Sequence, residues 1–151
     1  MTRYLPQSAN DTLASIMSKK VQTLSSDAPI KNALKLMKKF AIGSIVVTSD
    51  SKIVGIITER DIVRKMSQSG GIDLTKPVID IASKPVVTAE PSTEVWEAFT
   101  LMLKRKFRRL PVVQDKKLVG IVTERDLFKW VVRVVYEPNI PDDLAKLILQ
   151  S

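Results

Sequence analysis

Val54-Gly55-Ile56-Ile57-Thr58-Glu59-Arg60-Asp61 returns as Val119-Gly120-Ile121-Val122-Thr123-Glu124-Arg125-Asp126, with one exchange of isoleucine for valine and a shift of 65 positions, from 54 to 119. The same shift carries Thr23 onto Thr88, Ala33 onto Ala98, Leu36-Met37 onto Leu101-Met102, Asp50 onto Asp115 and Lys52 onto Lys117. No gap is needed from Ile16/Ile81 to Arg64/Lys129. Self-similarity at a fixed offset marks a repeated structural unit. Here the unit is about 50 residues long, and scaffolds below about 70 to 80 residues seldom supply a sufficient core alone. The two copies are therefore expected to pack on each other.

Working outward from the phrase, each repeat opens with apolar residues at helical spacing. These are Ile30, Ala33, Leu34 and Met37 in the first and Val95, Ala98, Phe99 and Met102 in the second. Ser26-Asp27-Ala28-Pro29 and Pro91-Ser92-Thr93-Glu94 precede them, offering a capping hydroxyl or carboxylate to the orphan amides. Two β-rich runs follow in each copy, Ser44 to Thr48 with Lys52 to Ile57 and Leu110 to Val113 with Lys117 to Val122. The polar turns Ser49-Asp50-Ser51 and Gln114-Asp115-Lys116 make hairpins of them. A second helical pattern runs through Ile62, Val63 and Met66, and through Leu127, Trp130, Val131 and Val134. Short runs at Val21 to Leu24 and Val86 to Ala89 read as leading strands. The expected class is α+β, with two β-α-β-β-α repeats.

The expected domain organisation is a leader at 1–14, repeat 1 at 15–66, a linker at 67–79, repeat 2 at 80–132 and a tail at 133–151. Ser67-Gln68-Ser69-Gly70-Gly71 has the composition of a flexible linker. Past Pro138 and Pro141, Asp142-Asp143 followed by Leu144, Leu147 and Ile148 predicts a short amphipathic helix suited to docking or a dimer contact.

Composition narrows the chemistry. Apolar residues at 44% and charged residues at 26% of 151 fit an ordinary globular domain. No apolar run reaches the roughly 18 residues that span a bilayer, and residues 1–10 lack a signal-peptide core, so a cytoplasmic location with no membrane partner is expected. The chain has no cysteine and no histidine, which removes thiolate chemistry and the commonest metal ligand and general base. No catalytic residue and no metal site are expected. A formal net charge of +8 invites an anionic partner.

Thr58-x-x-Asp61 and Thr123-x-x-Asp126 have capping-box spacing. Capping alone does not require the glycine three residues earlier or the neighbouring Arg60 and Arg125. Glycine in a strand marks close approach of backbone or ligand. A carboxylate at a strand-to-helix junction accepts well from a sugar diol, and a helix start offers amides to an anion.

The order, spacing and terminal Gly-h-h-Thr-x-x-Asp phrase (h, hydrophobic), recurring in both halves over Ile16 to Val132, resemble tandem cystathionine-β-synthase (CBS) domains, the pair called a Bateman module. The resemblance implies a pseudo-twofold pair whose two clefts bind adenosyl ligands such as AMP, ADP, ATP or S-adenosylmethionine, with further assembly into a homodimer. It places ribose-binding aspartates on Asp61 and Asp126 and ribose- or phosphate-adjacent threonines on Thr58 and Thr123. Base-pocket segments fall on Val21 to Thr23 and Val86 to Thr88, with Ser44, Ile45 and Val46 and Leu110, Pro111 and Val112 across from them. Phosphate-facing basic residues fall on Arg108 and Arg109, at the end of the run Lys104-Arg105-Lys106-Phe107-Arg108-Arg109. The first repeat has Gly43 and Ser44 there, so unequal sites are expected.

The function this implies is a non-catalytic sensor that needs no cofactor and reports a bound adenosyl ligand to itself or to another protein. Nucleic-acid binding through the basic surface is the competing reading, although no helix-turn-helix, zinc-finger or RNA-binding aromatic signature accompanies it.

Overall fold

The computed structural model describes residues 11–136 together with Asp142, Asp143, Lys146 and Gln150. Its elements are α1 (Leu13–Ile16), β1 (Thr23–Ser25), α2 (Ile30–Phe40), β2 (Ser44–Ser49), β3 (Lys52–Thr58), α3 (Glu59–Ser69), α4 (Val95–Arg105), β4 (Arg109–Gln114), β5 (Lys117–Thr123) and α5 (Glu124–Val131). A short 3₁₀ turn at Val78–Asp80 precedes α4, and a π turn at Val132–Tyr136 follows α5. The α+β repeats expected from the sequence are present. Asp142, Asp143, Lys146 and Gln150 are helical and exposed, whereas Leu144, Leu147 and Ile148 of the expected tail helix lie outside the described residues.

The chain divides into two compact units. The first takes the described residues of Met1–Lys19, Thr88–Gln114 and Val119–Ser151, and the second takes Lys20–Val87 with Asp115–Leu118.

In the second unit, β1 pairs in parallel with β2, and β2 pairs antiparallel with β3 with a register shift at Val47/Thr48. The turn between them holds Asp50 at φ 50° and Ser51 at φ 63°, left-handed conformations that short polar side chains tolerate. The helical spacing puts Ile30, Ala33 and Met37 of α2 onto this sheet, where they join Ile45, Val47, Ile57, Ile62, Val78 and Ala82 in one buried cluster. In the first unit, Leu13, Val95, Ala98, Met102, Leu110, Val112, Val122, Leu127 and Trp130 are buried. Asp115 (φ 50°) and Lys116 (φ 64°) repeat the turn.

Both first helices start differently from the sequence expectation. Neither Pro29 nor Glu94 makes a side-chain cap. Instead, the amides of Ile30 and Lys31 donate to the carbonyls of Lys76 (2.9 Å) and Leu74 (3.0 Å), and the Val95 amide donates to Asp11 O (2.8 Å). Backbone from distant sequence satisfies the orphan donors that a local side chain was expected to meet.

Leu13 and the segment 67–79 are held by contacts that composition does not reveal. Leu13 is fully buried, and its amide bonds to Thr93 O (2.9 Å). Ser67 to Ser69 continue α3, which closes at Gly70 in the left-handed region with φ 70°. Gly71 onward then leads to Val78, fully buried with its amide on Ala28 O (2.8 Å).

The shift of 65 extends into these segments. Ser18 and Ile121 exchange backbone bonds of 2.9 and 3.0 Å, and Ser83 and Ile56 exchange bonds of 2.9 and 3.1 Å. Each hairpin is thus flanked by the segment that precedes the other repeat's leading run. Both crossings are tight at a glycine. A Cβ on Gly55 would stand 3.1 Å from Ala82 Cβ, and one on Gly120 would stand 2.6 Å from Met17 Sδ and 3.1 Å from Ser18 O.

The second leading strand is reduced to a bridge between Ala89 and Val112. In the first repeat the Val46 amide donates to Gln22 O at 3.2 Å. The position equivalent to Val46 is Pro111, which has no N–H to give.

Candidate functional site

Thr58 and Thr123 end β3 and β5 in extended conformation and cap α3 and α5. Thr58 Oγ1 accepts from the Asp61 amide at 3.2 Å, while Asp61 Oδ2 accepts from the Thr58 amide and hydroxyl, both at 2.9 Å. The second copy repeats this at 3.3, 2.8 and 3.0 Å. In both, the box consumes Oδ2 and leaves Oδ1 pointing to other work.

Here the copies part. Asp61 Oδ1 accepts from Ser83 Oγ at 2.8 Å and from Nη2 of Arg64, and the residue is 3% exposed. Asp126 is half-buried, and among the described residues its Oδ1 carries no hydrogen bond. It lines a pocket of about 120 Å³ with Ser15, Ile16, Lys129, Trp130 and Arg133. Trp130 is a fixed wall of that pocket: its Nε1 donates to Asp11 Oδ2 at 2.8 Å, and its ring stands edge-on to Trp96 at 4.8 Å. Such a pocket offers a carboxylate acceptor, an aromatic wall and two cations side by side.

The remaining expected residues fall into three groups. Ile45, Val46, Leu110, Pro111 and Val112 are buried, with their side chains committed to packing. Val21, Ser44 and Val86 are half-buried and Thr23 and Thr88 exposed; Ser44 lies opposite Thr58 in the β2–β3 register, and Thr23 opposite Val46. Arg60, Arg108 and Arg125 are exposed, and Arg109 is half-buried and engaged.

Arg108 is tied to the second phrase by its backbone, since its carbonyl accepts from the Glu124 amide at 2.8 Å, as Gly43 O accepts from Glu59 at 3.1 Å. Its side chain meets Glu124 at 3.7 Å with both about 70% exposed, a screened pair worth less than about 1 kcal/mol. Arg108 therefore stands at the start of α5 with Arg109 opening β4, where the second unit has Gly43 and Ser44.

Sequence reasoning missed Arg64, Ser83, Lys129, Trp130 and Arg133. Arg64 and Lys129 were visible as a mismatch three residues after each aspartate, one helical turn on, where side chains meet. Ser83 and Ser15 come from segments whose approach no local pattern reveals. Among the described residues, no group of three or more His, Cys, Asp or Glu is placed to hold a metal ion, and no helix is long and apolar enough to cross a membrane.

The sequence pattern of the CBS domain matches residues 13–68 and 78–133. An inosine-5′-monophosphate dehydrogenase of Methanocaldococcus jannaschii is 39% identical over 138 residues, which span 90% of this chain and 26% of that enzyme. The CBS domain pair of protein MJ0100, in complex with 5′-methylthioadenosine and S-adenosyl-L-methionine, superposes with a TM-score of 0.69 at 30% identity, covering 78% of this chain and 93% of that one. CBSX2 in complex with AMP superposes with a TM-score of 0.73 at 26% identity, covering 82% and 97%.

Proposed function

The chain belongs to the CBS-domain family, as a tandem pair of repeats, and we propose that it is a non-catalytic regulatory module that binds an adenosine-containing ligand through Asp126. The observation that carries this reading is the unengaged Oδ1 of Asp126 on a pocket whose other walls include Trp130, Lys129 and Arg133. A carboxylate with one oxygen anchored by its own helix start is held in one orientation, and the other oxygen is free to accept from a ribose hydroxyl. Arg108 and Arg109, just before and at the start of β4, supply the guanidinium forks suited to phosphate in this reading. The adenosyl ligands of the MJ0100 pair and of CBSX2 support the same ligand class here.

Exposed Val63 and Met66 on α3 and Phe128 on α5 support self-association, for which a homodimer is the proposed state. A sedimentation measurement giving twice the chain mass, and the monomer on Val63→Glu with Phe128→Glu, is the expected outcome.

Calorimetric titration of ligand-stripped protein with AMP, ATP and S-adenosylmethionine tests the binding. Saturable heat with at least one of them is expected; no heat with any contradicts the reading.

A further inference from the structure

The two aspartates share sequence, cap and backbone setting, so whatever separates them lies in the residues around Oδ1. At Asp61 that oxygen is taken by Arg64 and Ser83. The equivalents of these two by the shift of 65 are Lys129 and Ser18. Ser18 makes the same backbone exchange with Ile121 that Ser83 makes with Ile56, but among the described residues its hydroxyl does not bond Asp126, and Lys129 lines the open pocket without bonding Asp126. A guanidinium reaches a carboxylate three residues back as a planar fork, whereas an ammonium on a flexible stem does not hold that geometry.

We infer that Arg64 is the residue that decides which of the two sites accepts ligand. Arg64, with Ser83, occupies Asp61 as an internal substitute for a ligand's hydroxyls, so that an adenosine ligand is taken first at Asp126. This deepens the reading above and rests on it. A diol approaching Asp61 must displace a charge-assisted bond, about twice as strong as a neutral one, and a hydroxyl bond besides. A diol approaching Asp126 displaces only water. A separate observation points the same way: the backbone carbonyl at the start of α5 comes from Arg108, followed by Arg109, while the matching carbonyl at the start of α3 comes from Gly43, followed by Ser44.

The test is AMP titration by calorimetry on the full, ligand-stripped chain. Wild type is expected to take a single equivalent tightly and to lose affinity roughly tenfold or more on Asp126→Ala, while Asp61→Ala leaves that equivalent in place. Arg64→Lys, which copies the other unit, and Arg64→Ala are expected to admit a second equivalent, which disappears when Asp61→Ala is added. Arg64→Lys keeps a cation beside the buried carboxylate, and thermal melting of both variants confirms that they are folded. Binding that follows Asp61 instead of Asp126 in wild type, or an unchanged stoichiometry in folded Arg64 variants, overturns the inference while leaving the ligand-binding reading intact. Absence of AMP binding in wild type and all variants overturns both.

Discussion

Thr58 and Thr123 do one job twice, and the chemistry of their partners makes the outcomes differ. Each hydroxyl accepts from a helix amide and donates to the aspartate that closes the box, so removing it frees a helix end and loosens the carboxylate together. Thr123→Ala and Thr58→Ala are each expected to cost about 1 kcal/mol in denaturant unfolding, the usual cost of losing an N-cap. Thr123→Ala should in addition weaken AMP binding, because it releases the one aspartate whose second oxygen is open. Ala41 argues in the opposite direction. It ends α2 at φ 51° in the left-handed region, a conformation that costs a residue with a Cβ roughly 1 kcal/mol. Ala41→Gly is expected to raise the unfolding midpoint. The aspartates and threonines were legible in the sequence because repetition singled them out, and the basic pair because Gly43 and Ser44 stand in its place in the first repeat. Arg64 was not, since its importance depends on a bond that spacing permits and does not require.

Hairpins and helices were legible because their signals are local: alternation, helical spacing, and Asp at the turns Asp50-Ser51 and Asp115-Lys116. What escaped is non-local. The pairing of Ser18 with Ile121 and of Ser83 with Ile56 joins each hairpin to a segment remote in sequence, and the starts of α2 and α4 use carbonyls from Leu74, Lys76 and Asp11. The shortened second leading strand was readable in principle, since Pro111 announces a missing donor. Gly55 and Gly120 pin the two crossings. Gly55→Ala must push on Ala82, and Gly120→Ala on Met17 and on the backbone carbonyl of Ser18. Each is expected to cost about 1 to 3 kcal/mol, the usual penalty of overpacking. Limited proteolysis should distinguish them: Gly120→Ala opens the chain near Lys19 and Lys20, and Gly55→Ala near Lys84.

At the scale of the whole molecule, a chain with a net charge of +8 and a duplicated fold presents two units built on one plan, each with its own core. A ligand that binds only the folded protein must stabilise it, by about 2.7 kcal/mol when present at about a hundred times its dissociation constant. AMP should therefore raise the thermal midpoint of wild type and of Asp61→Ala, and should do so much less for Asp126→Ala. Binding that rests on a pocket and a carboxylate should also survive salt far better than binding of a polyanion, whose affinity falls by orders of magnitude between low and physiological ionic strength. The most direct test of the central claim is the AMP titration of Asp126→Ala beside wild type. The account predicts saturable binding in wild type that falls roughly tenfold or more in the variant; equal affinity in the two proteins would contradict it.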